Sequence, residues 1–169
     1  MTFATLYQEL THSTEMIRAL TMGIGQEQAQ VKPDAKAWSM LEVICHLYDE
    51  ETEDFRERVD FILHRQHEAW KVIDPQGWVT TRRYNEQDFA QMRERFFARR
   101  EDSLQWLAGL KDAAWDTTYT SEYGTTSAGE MLACWAAHDN LHIRQLVELR
   151  RAYLERAAQP HNLEYAGDW

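Results

Sequence analysis

SAGEMLACWAAHDNLHIRQLVELRRA, residues 127–152, is the stretch whose reading decides the fold. Ser127-Ala128-Gly129-Glu130 is a capping box, in which the Ser hydroxyl and the Glu carboxylate reciprocally satisfy two orphan backbone donors at a helix start. From there Met131, Trp135, His138, His142, Gln145, Leu149 and Ala152 follow at alternating spacings of four and three, the period of one helical face. The spacing predicts a helix to about Arg156 with these residues on the seam that faces a core. Two histidines and a glutamine then stand where an apolar residue is easier to bury, because buried polar groups need partners. His138 and His142 lie one turn apart and can direct their imidazoles at a common point, as paired ligands do in helical metal sites. The pair alone fits a hydrogen-bonded core pair equally well, so a metal reading needs a third ligand from another helix.

A second capping box, Ser39-Met40-Leu41-Glu42, preceded by Trp38 as a hydrophobic staple, supplies that helix. Met40, Val43, Ile44, Leu47, Phe55, Val59 and Ile62 carry it to about His64. Its middle holds Glu50, Glu51, Glu53 and Asp54, which read as a solvated acidic face. His46, just over two turns beyond the cap, borders the stripe of Val43 and Leu47 and is the natural third ligand. Three neutral imidazoles leave one position open on Zn²⁺ or a similar divalent ion, the arrangement of a catalytic rather than a closed structural site. Asp49 and Glu50 follow His46 by three and four residues, so either can orient an imidazole, although a solvated face explains them as well. Gln145, one turn beyond His142 and on the seam, is the better candidate for holding a ligand in place. Cys45 and Cys134 read as small buried hydrophobes, and Tyr48, Trp38 and Trp135 as core or pocket wall.

Phe3, Leu6, Leu10, Ile17 and Leu20 mark a first helix that Gly23 and Gly25 end. From His67 to Tyr84 the periodicity fails and Asp74-Pro75-Gln76-Gly77 has turn chemistry, which suits a crossover rather than a tight hairpin of helices. Asn85 and Asp88 can cap a third helix, with a stripe of Phe89, Met92, Phe96, Leu104, Leu107 and Leu110 interrupted by Arg99 and Arg100. The segment from Trp115 to Thr126 reads as a Thr- and Tyr-rich loop. Four amphipathic helices with one long connection between the second and third predict an all-α four-helix bundle of crossover topology, a single domain over residues 1–158 with 159–169 as a C-terminal extension.

The 169 residues carry 18 Lys plus Arg against 28 Asp plus Glu, a formal charge of -10. Phosphate-neutralising nucleic-acid binders show the opposite balance, so DNA and RNA are not expected partners. Two cysteines make no disulfide framework, the N-terminus lacks signal-peptide character, and no apolar stretch approaches the roughly 18 residues of a membrane span. A cytoplasmic location is expected. A di-iron carboxylate bundle needs two E-x-x-H motifs, and only Glu9 to His12 fits. A zincin protease needs H-E-x-x-H, where here Asp139 follows His138.

Residues Trp38 to Asp49 resemble the W-S-x-x-E-x-x-x-H-L-x-D signature of the DinB-like superfamily, and His138 to Gln145 resemble its H-D-x-x-H-x-x-Q signature. The resemblance extends through the whole chain, including the crossover. It implies a divalent metal, Zn²⁺ or Ni²⁺ by preference, held by His46, His138 and His142; Gln145 and Asp49, from their helix positions, are the residues expected to support catalysis there. It also implies a small-molecule substrate and a habit of forming homodimers. Characterised branches of that family include transferases and isomerases that use a low-molecular-weight thiol such as bacillithiol, mycothiol or glutathione. The expected activity is therefore thiol S-transfer or metal-assisted hydrolysis. The rival expectation is a non-catalytic, stress-related metal-binding or interaction module.

Overall fold

Each long helix starts at a residue whose side chain accepts from the backbone it exposes: Thr2, Ser39, Asp88 and Ser127. In the computed structural model, which describes residues 2–122 and 124–167, these caps open α1 (Phe3–Thr21), α3 (Met40–Glu53), α6 (Phe89–Ala108) and α7 (Ala128–Ala157). Between them lie α2 (Gln26–Ala29), α4 (Phe55–His64), α5 (Pro75–Thr81) and an antiparallel hairpin of β1 (Thr118–Ser121) and β2 (Gly124–Ser127). A short 3-10 turn, Glu164–Ala166, follows the last helix, and residues 168 and 169 of the expected extension lie outside the described residues. No helix among the described residues is long and apolar enough to cross a membrane.

Side-chain pairs fix the helix directions. Ser13 pairs with Asp139, and Arg150 donates to the Leu20 carbonyl at 2.9 Å, so α1 and α7 run parallel. Arg93 reaches Thr21 and Arg100 reaches Thr14, so α6 is antiparallel to α1. Ser39 meets Asn85 near one end of α3, and Glu51 meets Arg100 near the other, so α3 and α6 are parallel. Two consecutive long helices that run parallel cannot be joined by a short turn, which is the physical reason for the connection of residues 65–88.

The core has two large apolar clusters with a polar belt between them, and a small third one of Phe61, Ile62 and Ala128. Ile17, Leu41, Ile44, Leu47, Phe96 and Leu146 belong to one cluster, and Leu10, Val59, Leu107, Leu132 and Trp135 to the other. Ser13, Thr14, Glu50, Glu51, Arg100, Ser103, Asp139 and His142 fall between the two in the four long helices and are buried.

The structure departs from the sequence reading in several places. The second helix is not continuous: at Asp54 (φ -121°, ψ -93°) the backbone leaves the helical region for one residue, separating α3 from α4. The acidic middle of that helix is not a solvated face, because Asp49, Glu50 and Glu51 are all buried. Most of the segment 115–126 pairs as the hairpin, with Thr118 opposite Ser127 and Thr120 opposite Thr125; Tyr123 lies outside the described residues. Leu110 falls beyond the end of α6. Asp88 alone caps α6, accepting from the Gln91 N–H at 2.8 Å, whereas Asn85 bonds Ser39 and Gln30 and fastens the crossover.

Candidate metal centre

The capping box of α3 sets where His46 points. The Ser39 hydroxyl accepts from the Glu42 N–H at 3.1 Å and donates to Asn85 Oδ1 at 2.6 Å, while Glu42 Oε2 accepts the Ser39 N–H at 2.8 Å. Lys32 closes on the other Glu42 oxygen at 2.7 Å. Seven residues on, His46 is buried and faces α7, which runs antiparallel to α3. The buried line of α7 is Leu132, Trp135, Asp139, His142, Leu146 and Leu149, so the expected seam is turned slightly: His138 and Gln145 stand half-buried at its edge. A ligand at the edge of a core can meet solvent, which a fully buried one cannot.

The structure brings three of the predicted residues to one point. His138 Nε2 lies 3.3 Å from His46 Nε2 and 3.2 Å from His142 Nε2. One donor atom from each ring falls within a 4.8 Å span. Burial drives all three below the ordinary imidazole range, His46 to about 3 and His138 to about 4, with the neighbouring imidazoles adding to the effect on both. All three are therefore neutral at pH 7, the form that ligates a metal.

An outer ring nitrogen decides the tautomer of His142. His142 Nδ1 lies 2.8 Å from Gln145 Oε1, an acceptor, so Nδ1 carries the proton and Nε2 presents its lone pair to the centre. His46 Nδ1 faces Glu50 Oε1 at 3.8 Å, beyond hydrogen-bonding distance. Lone pairs of neutral rings so close repel one another unless a proton or a cation lies among them. The donor set thus fits a divalent ion bound through three imidazoles, the ligand count of an open site.

Asp49 is placed elsewhere. It accepts from the Tyr84 hydroxyl and pairs with Arg82 at 2.8 Å, and burial still leaves its carboxyl above the usual range. The carboxylate opposite His46 is Glu50, whose buried position, with Asp54 beside it, pushes it up to about 8. Its place four residues after His46 was the only sequence signal for it, and the solvated-face reading concealed it. A buried network in the bundle interior, joining α1, α3, α6 and α7, had no signal beyond the second residue of the H-D motif: Arg100 bonds Asp139 at 2.6 and 2.9 Å and Glu51 at 2.8 and 2.9 Å.

Trp38 stands edge-on to His46, ring centroids 4.9 Å apart, and stacks on His142 at 6.3 Å. Phe55, just past the break between α3 and α4, lies 4.9 Å from His138. A shallow cavity of about 330 Å³ reaches the centre at His142 and is lined by Lys36, Ala37, Trp38, Gln76, His142 and Gln145. The crossover therefore contributes to the mouth through Gln76. The hairpin does not; it packs by Tyr119 on Phe61 and Trp70. A second cavity of about 460 Å³ beside Met40, Leu149 and Tyr153 contains none of the three histidines. Cys134 is exposed, and Cys45 is buried against the Tyr84 carbonyl, where burial pushes its thiol up to about 12.

Comparison with known proteins agrees with the fold. The chain is similar in structure to YfiT from Bacillus subtilis, described as a probable metal-dependent hydrolase with an unusual four-helix bundle topology. The TM-score is 0.76 and the identity 16%, covering 88% of this chain and 86% of that one. No curated protein sequence matches. A family profile, that of the DinB superfamily, matches residues 9–146, a span that contains the three histidines, the whole of α3 and α6 and most of α1 and α7, and the chain belongs to that superfamily.

Proposed function

We propose that the chain is a metal-dependent enzyme of hydrolase type, in which His46, His138 and His142 bind one divalent ion, Zn²⁺ or Ni²⁺, through their Nε2 atoms. The observation that carries this reading is the convergence of three neutral imidazoles at 3.2–3.3 Å, with Gln145 holding the proton of His142 on the outer nitrogen. A divalent ion in that position supplies Lewis acidity and lowers the pKa of a water, or of a thiol, that reaches it. The protein's own part is orientation and exclusion. Gln145 fixes the His142 ring, Trp38 and Phe55 exclude water from the sides of the triad, and a small substrate enters over Trp38 between Lys36 and Gln76. Asp49 acts one step further out, holding the crossover to α3 through Tyr84 and Arg82. Hydrolysis is favoured over S-transfer because the structurally similar YfiT is described as a probable metal-dependent hydrolase.

Metal analysis of untagged protein tests the binding step: about one divalent ion per chain is expected, falling to near zero in His142→Ala. Protein without metal before and after incubation with Zn²⁺ overturns it. Ester hydrolysis that a chelator abolishes and Zn²⁺ restores supports the catalytic step. A rate that rises with a low-molecular-weight thiol moves the reaction to S-transfer. Bound metal without turnover on esters or thiols leaves a binding module.

A further inference from the structure

Glu50 and His46 hold open polar atoms that face each other beside the triad. Both side chains are buried, 4% exposed each, and each has one polar atom with no hydrogen-bond partner: Glu50 Oε1 and His46 Nδ1. These two atoms face each other 3.8 Å apart, one turn along α3. The separation exceeds a hydrogen bond by less than 1 Å, a distance that a small rotation of either side chain closes. A buried donor and a buried acceptor left open side by side are costly to leave so, and each is the natural partner of the other.

We propose that Glu50 is the positioning residue for His46: it takes the Nδ1–H in a hydrogen bond when His46 ligates through Nε2. The inference rests on the metal reading above and extends it to a residue that neither family signature contains. Metal-ligating histidines generally donate their second ring N–H to an acceptor, which fixes the tautomer and makes the ligating nitrogen more basic. Gln145 does this for His142 at 2.8 Å, on α7. Glu50 does the same for His46 on α3, so each of the two helices supplies both a ligand and its support, at i+3 on α7 and i+4 on α3. Asp54 also faces Glu50 and Arg58 acts on it through charge, while Oε1 has no hydrogen-bond partner and is open to the imidazole.

Zn²⁺ affinity, measured by competition with a chromogenic chelator, should fall about 10- to 100-fold in Glu50→Leu. Glu50→Gln keeps an acceptor oxygen at the same place and should lose no more than about threefold. The metal-free Glu50→Leu protein should melt no lower than wild type, because a buried carboxyl with an open oxygen has been replaced by an apolar side chain. A merely structural role for Glu50 predicts the opposite pattern, a lower melting temperature with unchanged affinity. Zn²⁺ affinity of Glu50→Leu within twofold of wild type, while His46→Ala loses the metal, overturns the proposal. Failure of wild type to bind Zn²⁺ overturns the metal reading instead. Glu50 is then decided by 15N chemical shifts of metal-free His46, which should report the Nδ1–H tautomer in wild type and lose that preference in Glu50→Leu. An unchanged tautomer overturns the proposal there too.

Discussion

A single hydrogen bond decides which nitrogen of His142 faces the centre. Gln145 Oε1, 2.8 Å from Nδ1, accepts that ring's proton, and nothing else among its described contacts fixes the tautomer. Gln145→Leu should therefore weaken Zn²⁺ binding by about 10- to 100-fold, while the metal-free protein loses less than about 1 kcal/mol, because Gln145 is only half-buried and the apolar replacement packs beside Trp38. Titration with Zn²⁺ and a urea denaturation of the metal-free variant separate the two effects; equal affinity in variant and wild type removes Gln145 from the centre. The histidines and Gln145 were legible in the sequence because helix period alone places residues 138, 142 and 145 along one face. Glu50 was legible only as one of two carboxylates able to orient His46, and Asp139 not as a buried partner at all. A carboxylate in a run of acids reads as solvated until the neighbouring helix is known, and what buries these two comes from α4, α6 and α1.

Two helices carry the three histidines, and each begins with the same box, yet the boxes differ in what they hold. Ser127 caps α7 in a half-exposed position beside Glu130, where water can replace a lost hydroxyl. Ser39 is fully buried, caps α3 and also donates to Asn85 of the crossover. Ser127→Ala should cost about 1 kcal/mol, within the range for losing a cap. Ser39→Ala should cost about 2–3 kcal/mol, because it also strips a buried partner from Asn85. Chemical denaturation of the two variants in parallel checks the order, and equal losses would mean that the Asn85 bond contributes nothing. Both boxes were legible because capping is local chemistry, written in four consecutive residues. The break at Asp54 and the hairpin were not. No proline or glycine marks the break, and the helical hydrogen bonds continue on either side of it, from the Asp54 N–H to Glu50 and from the Arg58 N–H to Asp54. The strands are four residues each and carry no apolar alternation, so only the pairing across them distinguishes them from a loop.

At the scale of the molecule, the crossover and the polar belt belong together. The parallel course of α3 and α6 puts Glu51 and Arg100 at one level, and α1 and α7 bring Thr14, Ser13 and Asp139 to the same level between the two apolar clusters. Arg100 is 1% exposed and contacts three other helices. Burial alone would lower its pKa, but the Asp139 and Glu51 carboxylates outweigh that and hold it charged. In this network two acids share one base, and Ser13, Thr14 and the Trp135 indole, 3.1 Å from Glu51, bond its members. The sequence showed Arg100 only as an interruption of an apolar stripe, since its partners are 39 and 49 residues away. Such a network adds little over well-packed apolar residues, but removing one member leaves the rest charged and unpaired. Arg100→Met should therefore cost about 3–5 kcal/mol, as measured by denaturation of the metal-free protein. Replacing the acids as well, in Glu51→Gln/Arg100→Met/Asp139→Leu, removes the stranded charges, keeps an acceptor for Trp135, and leaves Ser13 its bond to the Leu10 carbonyl at 3.0 Å. The triple variant should be more stable than Arg100→Met alone, although it carries two further buried substitutions, because neighbouring sites in one network are not additive. Arg100→Met within about 1 kcal/mol of wild type, or a triple variant less stable than the single one, would mean that the belt is not held by its charges.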